Sequence, residues 1–467
     1  MDIDTKVNDS DRTPSSLRDP FGFLTKDKEG TLVRYVDRRL AHASRVFLHS
    51  DLYSNLVKNR RFVDHDEVDS NVSASGDSLL LQPRKIPIVT YPYEWPFSLL
   101  KKAALLTVDI QREAIDAGFT LRDGTAFNVL FEGVRPIFID FGSFDVLTPG
   151  QPWAGYKQFC EHFLAPLALA ASFRNSPNIY NSVTMDGYPL GIASSMMPIR
   201  SWMNWGLLWH LHLHSRAISK GTSNRARDPG TKHLSSRSLN GLLASLRNAV
   251  NALKYHVDKG DWATYYADNS YSSRAMAHKE ELVDIWLSSR PESELILDLG
   301  GNAGRFSAIA SKYSKNVILV DSDHDSVELA VREFDNRGIT NIHSALHDLT
   351  DPFMGRGWAG SERPGFYDRI KPQTSLALAL IHHLVIGAGI PMERVAAHFR
   401  DITPSLIIEF IPQGDPMVDL LSTNKKGQHH EYSLAKFEQA FTGRFSMKHK
   451  QELSESGRVL YEFAAQS

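Results

Sequence analysis

After Pro291 the chain alternates short apolar runs with amphipathic stretches, and this alternation restricts the fold more than any other feature. Residues 295–299, 317–320, 342–346, 376–380 and 406–411 read as five strands. After the first, Phe306, Ile309, Ala310 and Tyr313 recur at i, i+3, i+4 and i+7, one face of a helix. Val327, Ala330, Val331 and Phe334 form a second such face, and Gly338 stops it. Leu434, Phe437 and Phe441 mark a late helix, and residues 445–453 and 458–463 read as a closing hairpin around Glu455, Ser456 and Gly457. Strands alternating with helices require crossover connections, which give a parallel sheet covered on both faces. The expectation is an α/β, doubly wound sheet over residues 265–467, closed by an antiparallel hairpin.

Upstream the pattern is less regular. Residues 1–30 are rich in Asp, Lys, Ser and Asn and read as a disordered tail; residues 31–260 read as a mixed α+β region. A chain of 467 residues has room for two or three domains. Its one cysteine, Cys160, excludes an intramolecular disulfide and a multi-Cys zinc site. Lys and Arg number 52 against 54 Asp and Glu, so no nucleic-acid partner is expected. No apolar run approaches the ~20 residues that span a bilayer, and no apolar h-region follows Met1. The expected protein is cytoplasmic with no membrane partner. The stretch 215–238 carries Arg216, Lys220, Arg225, Arg227, Lys232 and Arg237 against Asp228. It reads as a solvated loop, with a phosphate-facing loop as the sharper alternative. Trp202, Trp205 and Trp209 fall at i, i+3 and i+7 and read as a core stripe. His210 and His214 share a helix face beside His212, but no acid completes a ligand set; packed histidines and no metal are expected.

The segment Leu297-Asp298-Leu299-Gly300-Gly301-Asn302-Ala303-Gly304 lies where the first strand meets the first helix. Glycines there let the backbone turn tightly against a ligand. A dinucleotide G-x-G-x-x-G fails at Asn302 and Arg305, and there is no G-K-[S/T] for a P-loop. What remains is acid-x-Gly-x-x-x-Gly, with Asp298 inside the strand end. A second acid, Asp321, ends the next strand, where a carboxylate can accept ribose hydroxyls. A carboxylate at the place of Asp298 suits a cationic ligand, and S-adenosylmethionine carries a sulfonium and an ammonium.

From about residue 265 to the end, the chain resembles the class I S-adenosylmethionine-dependent methyltransferases. The resemblance implies S-adenosylmethionine as cofactor. It implies that the loop of Asp298, Gly300, Asn302 and Gly304 holds the cofactor's amino-acid part. Asp321 then holds the ribose, and Asp348, in His347-Asp348-Leu349, faces the adenine. Asn302 stands where that family usually has Gly. The fourth strand runs into Ile381-His382-His383-Leu384, a form common in the family. His382 and His383 are candidate bases for a hydroxyl acceptor, or else capping and packed histidines. The expected acceptor is a small molecule or saccharide taking the methyl on oxygen, with a protein side chain as the other option. Glu409, inside an apolar strand, needs a partner: a structural ion pair and a substrate contact are both open. Tyr265, Tyr266 and Tyr271 either cover the cofactor or pack as ordinary aromatics.

Residues 121–142 carry a second resemblance. Arg122-Asp123-Gly124-Thr125-Ala126-Phe127-Asn128 has the Asp-x-x-x-x-Asn spacing of a kinase catalytic loop, and Asp140-Phe141-Gly142 follows an apolar run. The region resembles a protein-kinase or aminoglycoside-kinase lobe, preceded by a helix over 97–117. It departs at Leu121, where kinases have His, and in lacking a Gly-rich loop over 31–90. Lys85 lies between Pro83 and Pro87, a poor setting for a phosphate-binding strand lysine. A degenerate kinase-like scaffold is expected; a phosphotransferase and a non-catalytic cofactor-binding regulatory module are the alternatives. With Tyr91-Pro92-Tyr93-Glu94-Trp95-Pro96, the whole architecture is similar to rhizobial host-specific nodulation proteins of the NoeA type, which implies a role in nodulation.

Overall fold

The computed structural model describes residues 12–27, 29–68, 78–219, 235–257, 272–423 and 432–466. Tyr265, Tyr266 and Tyr271, most of the basic stretch 215–238 and the first eleven residues lie outside the described residues. The chain divides into two units. The first comprises Met1–His256 and Met354–Pro364, and the second Val257–Phe353 and Gly365–Ser467.

In the first unit, β1 (Gly22–Lys26), β2 (Leu32–Val36), β3 (His65–Glu67) and β4 (Leu79–Pro83) form an antiparallel sheet in the order β1-β2-β4-β3. Strand β1 lies inside the span expected to be a disordered tail. Averaged composition concealed one short run, Gly22-Phe23-Leu24-Thr25-Lys26, that buries Phe23 and pairs Gly22 with Val36. Helix α1 (Arg38–Leu48) starts at Asp37, whose carboxylate accepts the Arg39 N–H, and α2 (Asp51–Lys58) starts at Ser50 in the same way. Helix α3 (Phe97–Asp116) matches the expected 97–117 and buries Leu100, Ala103, Ala104 and Val108. Next, β5 (Phe119–Leu121) pairs with β8 (Phe144–Val146) and encloses the hairpin of β6 (Val129–Glu132) and β7 (Arg135–Phe138). Phe47 of α1 stacks on Phe144 at 3.8 Å and meets Phe62 and Phe119 edge-on, an aromatic core under the sheet.

Helices α4 (Ala165–Phe173), α5 (Leu190–Met196) and α6 (Ser236–Ala252) follow, with a π-helical segment Leu208–Leu213 between α5 and α6. The tryptophan stripe does not form: Trp205 is 73% and Trp209 56% exposed. The stripe required one continuous α-helix. Instead Trp202 lies in the 3-10 turn Ile199–Met203, Asn204 is extended (ψ 111°), and the π-helix changes the period. The histidines are packed: His210 lies between the hydroxyls of Tyr156 and Ser245, and His212 between those of Ser194 and Ser201. The segment Met354–Pro364 interrupts the span expected to be one methyltransferase domain and folds with the first unit. There Arg18 donates to Glu362 at 2.8 Å, and Arg363 donates to the Ser15 carbonyl and sits over the Phe127 ring.

The second unit is built on a seven-stranded sheet. Its strands are β9 (Ser293–Leu299), β10 (Ser314–Asp321), β11 (Ile342–Leu346), β12 (Thr374–Ala377), β13 (Ser405–Phe410), β14 (Phe445–Glu452) and β15 (Val459–Ala465). The order is β11-β10-β9-β12-β13-β15-β14. The first five are parallel, with Ile318 opposite Leu297 and Leu376 opposite Asp298. Strand β15 runs antiparallel beside β13, and β14 closes the edge. Strand β9 therefore has neighbours on both sides, and the order reverses next to it, which opens a crevice at its carboxyl end. Helices α7 (Ser273–Ser288), α8 (Arg305–Ala310), α9 (His324–Asn336), α10 (Met392–Ile402) and α11 (Leu434–Thr442) are among those of this unit. This is the doubly wound, Rossmann-like methyltransferase sheet with an antiparallel closing hairpin. One boundary differs: β12 stops at Ala377 rather than residue 380. Ala379 turns into the left-handed region (φ 52°), and its N–H goes to Glu409 rather than to a neighbouring strand.

Candidate functional site

Strand β9 carries Asp298 almost completely buried to its end, and the backbone then turns through Gly300 (φ 68°), Asn302 (φ 49°) and Gly304 (φ 84°) into α8. Asn is one of the few side chains that visit left-handed φ routinely, so Asn302 can replace the usual glycine. Its side-chain oxygen accepts the Ala303 N–H at 2.7 Å, and its own N–H donates to Asp321 at 2.9 Å. Asp321, at the end of β10, also accepts the Asp323 N–H at 2.9 Å. The turn and the second acid are thus one hydrogen-bonded unit. A cavity of about 270 Å³ opens against it. Asp298, Gly300, Gly301, Asn302, Asp321, Ser322 and Asp323 line it together with Met276, Lys279, Phe306, Leu349, Leu378, Ala379, Leu380 and His383. A β-carbon on Gly301 would lie 2.8 Å from Leu319 Cγ, and one on Gly300 3.1 Å from Leu380 Cδ1, so the cradle has no room for side chains.

Burial controls the charges here. It raises Asp298 to about 6, against the opposing hydrogen bond from Ser307, 2.6 Å away. It raises Asp321 to about 6 against the N–H donors of Asp323 and Asn302. Lys279, lining the same cavity, draws Asp298 down only in part, and burial still dominates at both acids, which fits a ligand that brings positive charge. Lys279 faces Glu409 at 2.6 Å, with both side chains buried. Burial pulls the Lys279 ammonium below its usual value, while the Glu409 carboxylate pulls it up. Arg458 lies 3.8 Å from Glu409 and 2.8 Å from Asp415. Of the two openings for Glu409, the structure has the ion pair. That carboxylate also accepts the Ala379 N–H at 2.9 Å and so fixes the turn that walls the cavity.

Five of the expected residues come together: Asp298, Gly300, Asn302, Asp321 and His383 all line the cavity. Three do not. Gly304 does not line the cavity: a β-carbon there would collide with the Phe334 ring of α9, so the helix contact by itself requires glycine. Asp348 is exposed and turned back on Thr350, accepting its N–H at 2.8 Å and its hydroxyl at 2.6 Å; the neighbouring Leu349 lines the cavity instead. His382 is fully buried beside His383, ring centroids 4.0 Å apart, and does not line the cavity. Burial lowers His383 to about 4. Lys279 was missed, although the sequence held a signal: it interrupts the buried stripe Met276, Val283, Trp286 of α7 at helical spacing. In the first unit, Asp140 meets Arg34 of β2 at 3.0 Å, and Asp19 lies 3.7 Å from the same guanidinium. Burial, then the neighbouring Asp140, raises Asp123. Lys85 takes no part in this cluster as far as the described contacts go, and Arg34 supplies its cation.

No family model matches the chain. Among solved structures, the N-methyltransferase NodS of Bradyrhizobium japonicum WM9 is similar at 11% identity, covering 42% of this chain and 99% of that one with a TM-score of 0.32. Magnesium protoporphyrin IX methyltransferase ChlM of Synechocystis PCC 6803 is similar at 15% identity, covering 44% and 93% with a TM-score of 0.32. The bifunctional kinase-methyltransferase WbdD is similar at 14% identity, covering 45% and 43% with a TM-score of 0.30. Along its sequence the chain is 31% identical over 468 residues to nodulation protein NoeA of Rhizobium meliloti (strain 1021), an alignment that takes in 97% of this chain and 96% of that protein. With that identity sustained over nearly the full length of both, the chain belongs to the NoeA family.

Proposed function

We propose that the second unit is an S-adenosylmethionine-dependent methyltransferase acting on a hydroxyl of a small molecule or saccharide, in the service of nodulation. The observation that carries this reading is the paired Asp298 and Asp321 astride the glycine turn, at the crevice beside β9. S-adenosylmethionine supplies an activated methyl on a sulfonium, transferred in line to a nucleophile. Asp321 accepts the ribose hydroxyls, and Gly300 and Gly301 let the backbone approach the amino-acid part. Asp298 balances the positive charge from below. His383 is neutral near pH 7 and accepts the hydrogen bond of an acceptor hydroxyl. A histidine lowered to about 4 is a weak base, so alignment of hydroxyl and methyl supplies most of the acceleration.

Calorimetry with S-adenosylmethionine tests this. Asp321→Ala is expected to weaken binding by about 1–3 kcal/mol, the scale of hydrogen bonds to a charged group. The melting temperature of the variant is measured alongside, because Asp321 also holds the Asn302 N–H. A folded variant that binds as tightly as the parent chain would defeat the assignment. Incubation with radiolabelled donor and plant or bacterial extract then identifies the acceptor fraction.

A second reading concerns the first unit. Its order of antiparallel sheet, α1, α3, the loop of Asp123 and Asn128, the β6–β7 hairpin and Asp140 supports a kinase-like scaffold, and Arg34 meeting Asp140 favours it specifically. If that cluster still takes nucleotide, Mg-ATP raises the melting temperature of the full chain and Asp140→Ala removes the shift. No shift would leave the region as a scaffold without phosphotransfer.

A further inference from the structure

Among the described residues, ten of the nineteen exposed large apolar side chains fall between Phe173 and Ile218 of the first unit. Ile199 and Met203 are 88% and 80% exposed, and Trp205 and Trp209 follow them directly. They project from a pinned platform. His212 is held by Ser194 of α5 and by Ser201, and Trp202 stacks on its ring at 4.1 Å. The Arg216 guanidinium covers the other partner, 4.4 Å from the Trp202 ring centroid. The knobs are therefore fixed in place rather than displayed by fraying. The same stretch is electrically distinct. Among the described residues of 171–240, Arg174, Arg200, Arg216 and Arg237 stand against one acid, Asp186, while the whole chain has a net charge of −2. Arg174, Arg200 and Arg216 are exposed within the described part.

We infer that this surface docks on an anionic lipid bilayer. The complement to a basic surface is anionic, which fits acidic headgroups. Side chains that protrude singly from short helical turns ask for a fluid partner, because a bilayer needs no matching pocket. Tryptophan favours the headgroup boundary, where its ring is half apolar and its N–H stays hydrated. Ile and Met would find nothing to bury against along a phosphate backbone, which argues against nucleic acid. Among the described residues no helix is long and apolar enough to cross a membrane, so the attachment is peripheral. The inference departs from the expectation of no membrane partner, and it is independent of the methyltransferase reading.

The experiment is co-sedimentation of the full chain with vesicles of phosphatidylcholine alone and of phosphatidylcholine with phosphatidylglycerol. Binding is expected to the mixed vesicles only, to weaken as salt screens the charges, and to bring a blue shift of tryptophan emission. The combined variant Ile199→Ser, Met203→Ser, Trp205→Ser is expected to bind about tenfold or more weakly at unchanged melting temperature, since affinity follows buried apolar area. Arg174→Glu with Arg200→Glu is expected to lose the preference for the acidic lipid. The proposal is overturned by absence of binding at low salt, or by equal binding of the serine variant. It is also overturned if the parent chain forms a dimer that the serine variant abolishes, or if duplex RNA binds more tightly than the vesicles.

Discussion

Glu409→Ala is expected to cost the second unit about 3–5 kcal/mol, the scale for removing one partner of a buried ion pair. The carboxylate is buried near the end of β13, between β12 and β15, with Lys279 at 2.6 Å and Arg458 at 3.8 Å. Removing it leaves positive charge in a region where burial already strains the Lys279 ammonium. It also takes the acceptor from the Ala379 N–H, whose left-handed turn walls the cavity. Glu409→Gln keeps an acceptor for Ala379 while losing the charge, and is expected to recover the turn but only part of the stability. Urea unfolding of the full chain, followed by a probe of the second unit, reads both. A loss for Glu409→Ala within about 1 kcal/mol, the range of an exposed pair, would show that the pair does not hold this unit together.

Affinity for S-adenosylmethionine is expected to fall by about a hundredfold between pH 7 and pH 5. Burial holds both Asp298 and Asp321 near 6 in the absence of ligand. Both must be ionised to face a cation and to accept hydroxyls. At pH 7 most of each is ionised; at pH 5 most of each is protonated, and the proton must leave on binding. Each group that must ionise contributes about tenfold over this interval. The loss therefore sets in as pH drops through 6, with a plateau above pH 7. Asp298→Asn removes one of the two groups and is expected to halve the logarithmic slope while lowering affinity at pH 7. A flat profile in the parent chain would mean that neither carboxylate answers to the ligand's charge.

The parts of this molecule that were legible in its sequence are those where local pattern and tertiary packing agree. The third parallel strand coincides with the expected 342–346 because all five of its residues are buried and nothing competes for its ends. The glycine turn was legible because its conformation demands particular residues, and Asn302 remained readable as a member through its tolerance of positive φ. The sequence was ambiguous where one residue type serves two physical ends. Gly304 has the spacing of a ligand-facing glycine, yet it is required by the Phe334 ring. Asp348 follows its strand as a ligand acid would, but Thr350 two residues on offers it a local turn. The end of β12 depended on Glu409, which comes from a different strand, and no local pattern holds that information. The tryptophan spacing presupposed an α-helical period that Asn204 and the π-helix break.

The most direct measurement of the central claim is a crystal structure of the full chain with S-adenosylhomocysteine. The ribose hydroxyls are expected within hydrogen-bond distance of the Asp321 carboxylate, the amino-acid part over Gly300 and Gly301, and the sulfur directed toward His383. Ligand density elsewhere, or at this cavity with no ribose hydroxyl within hydrogen-bond distance of Asp321, would contradict the account.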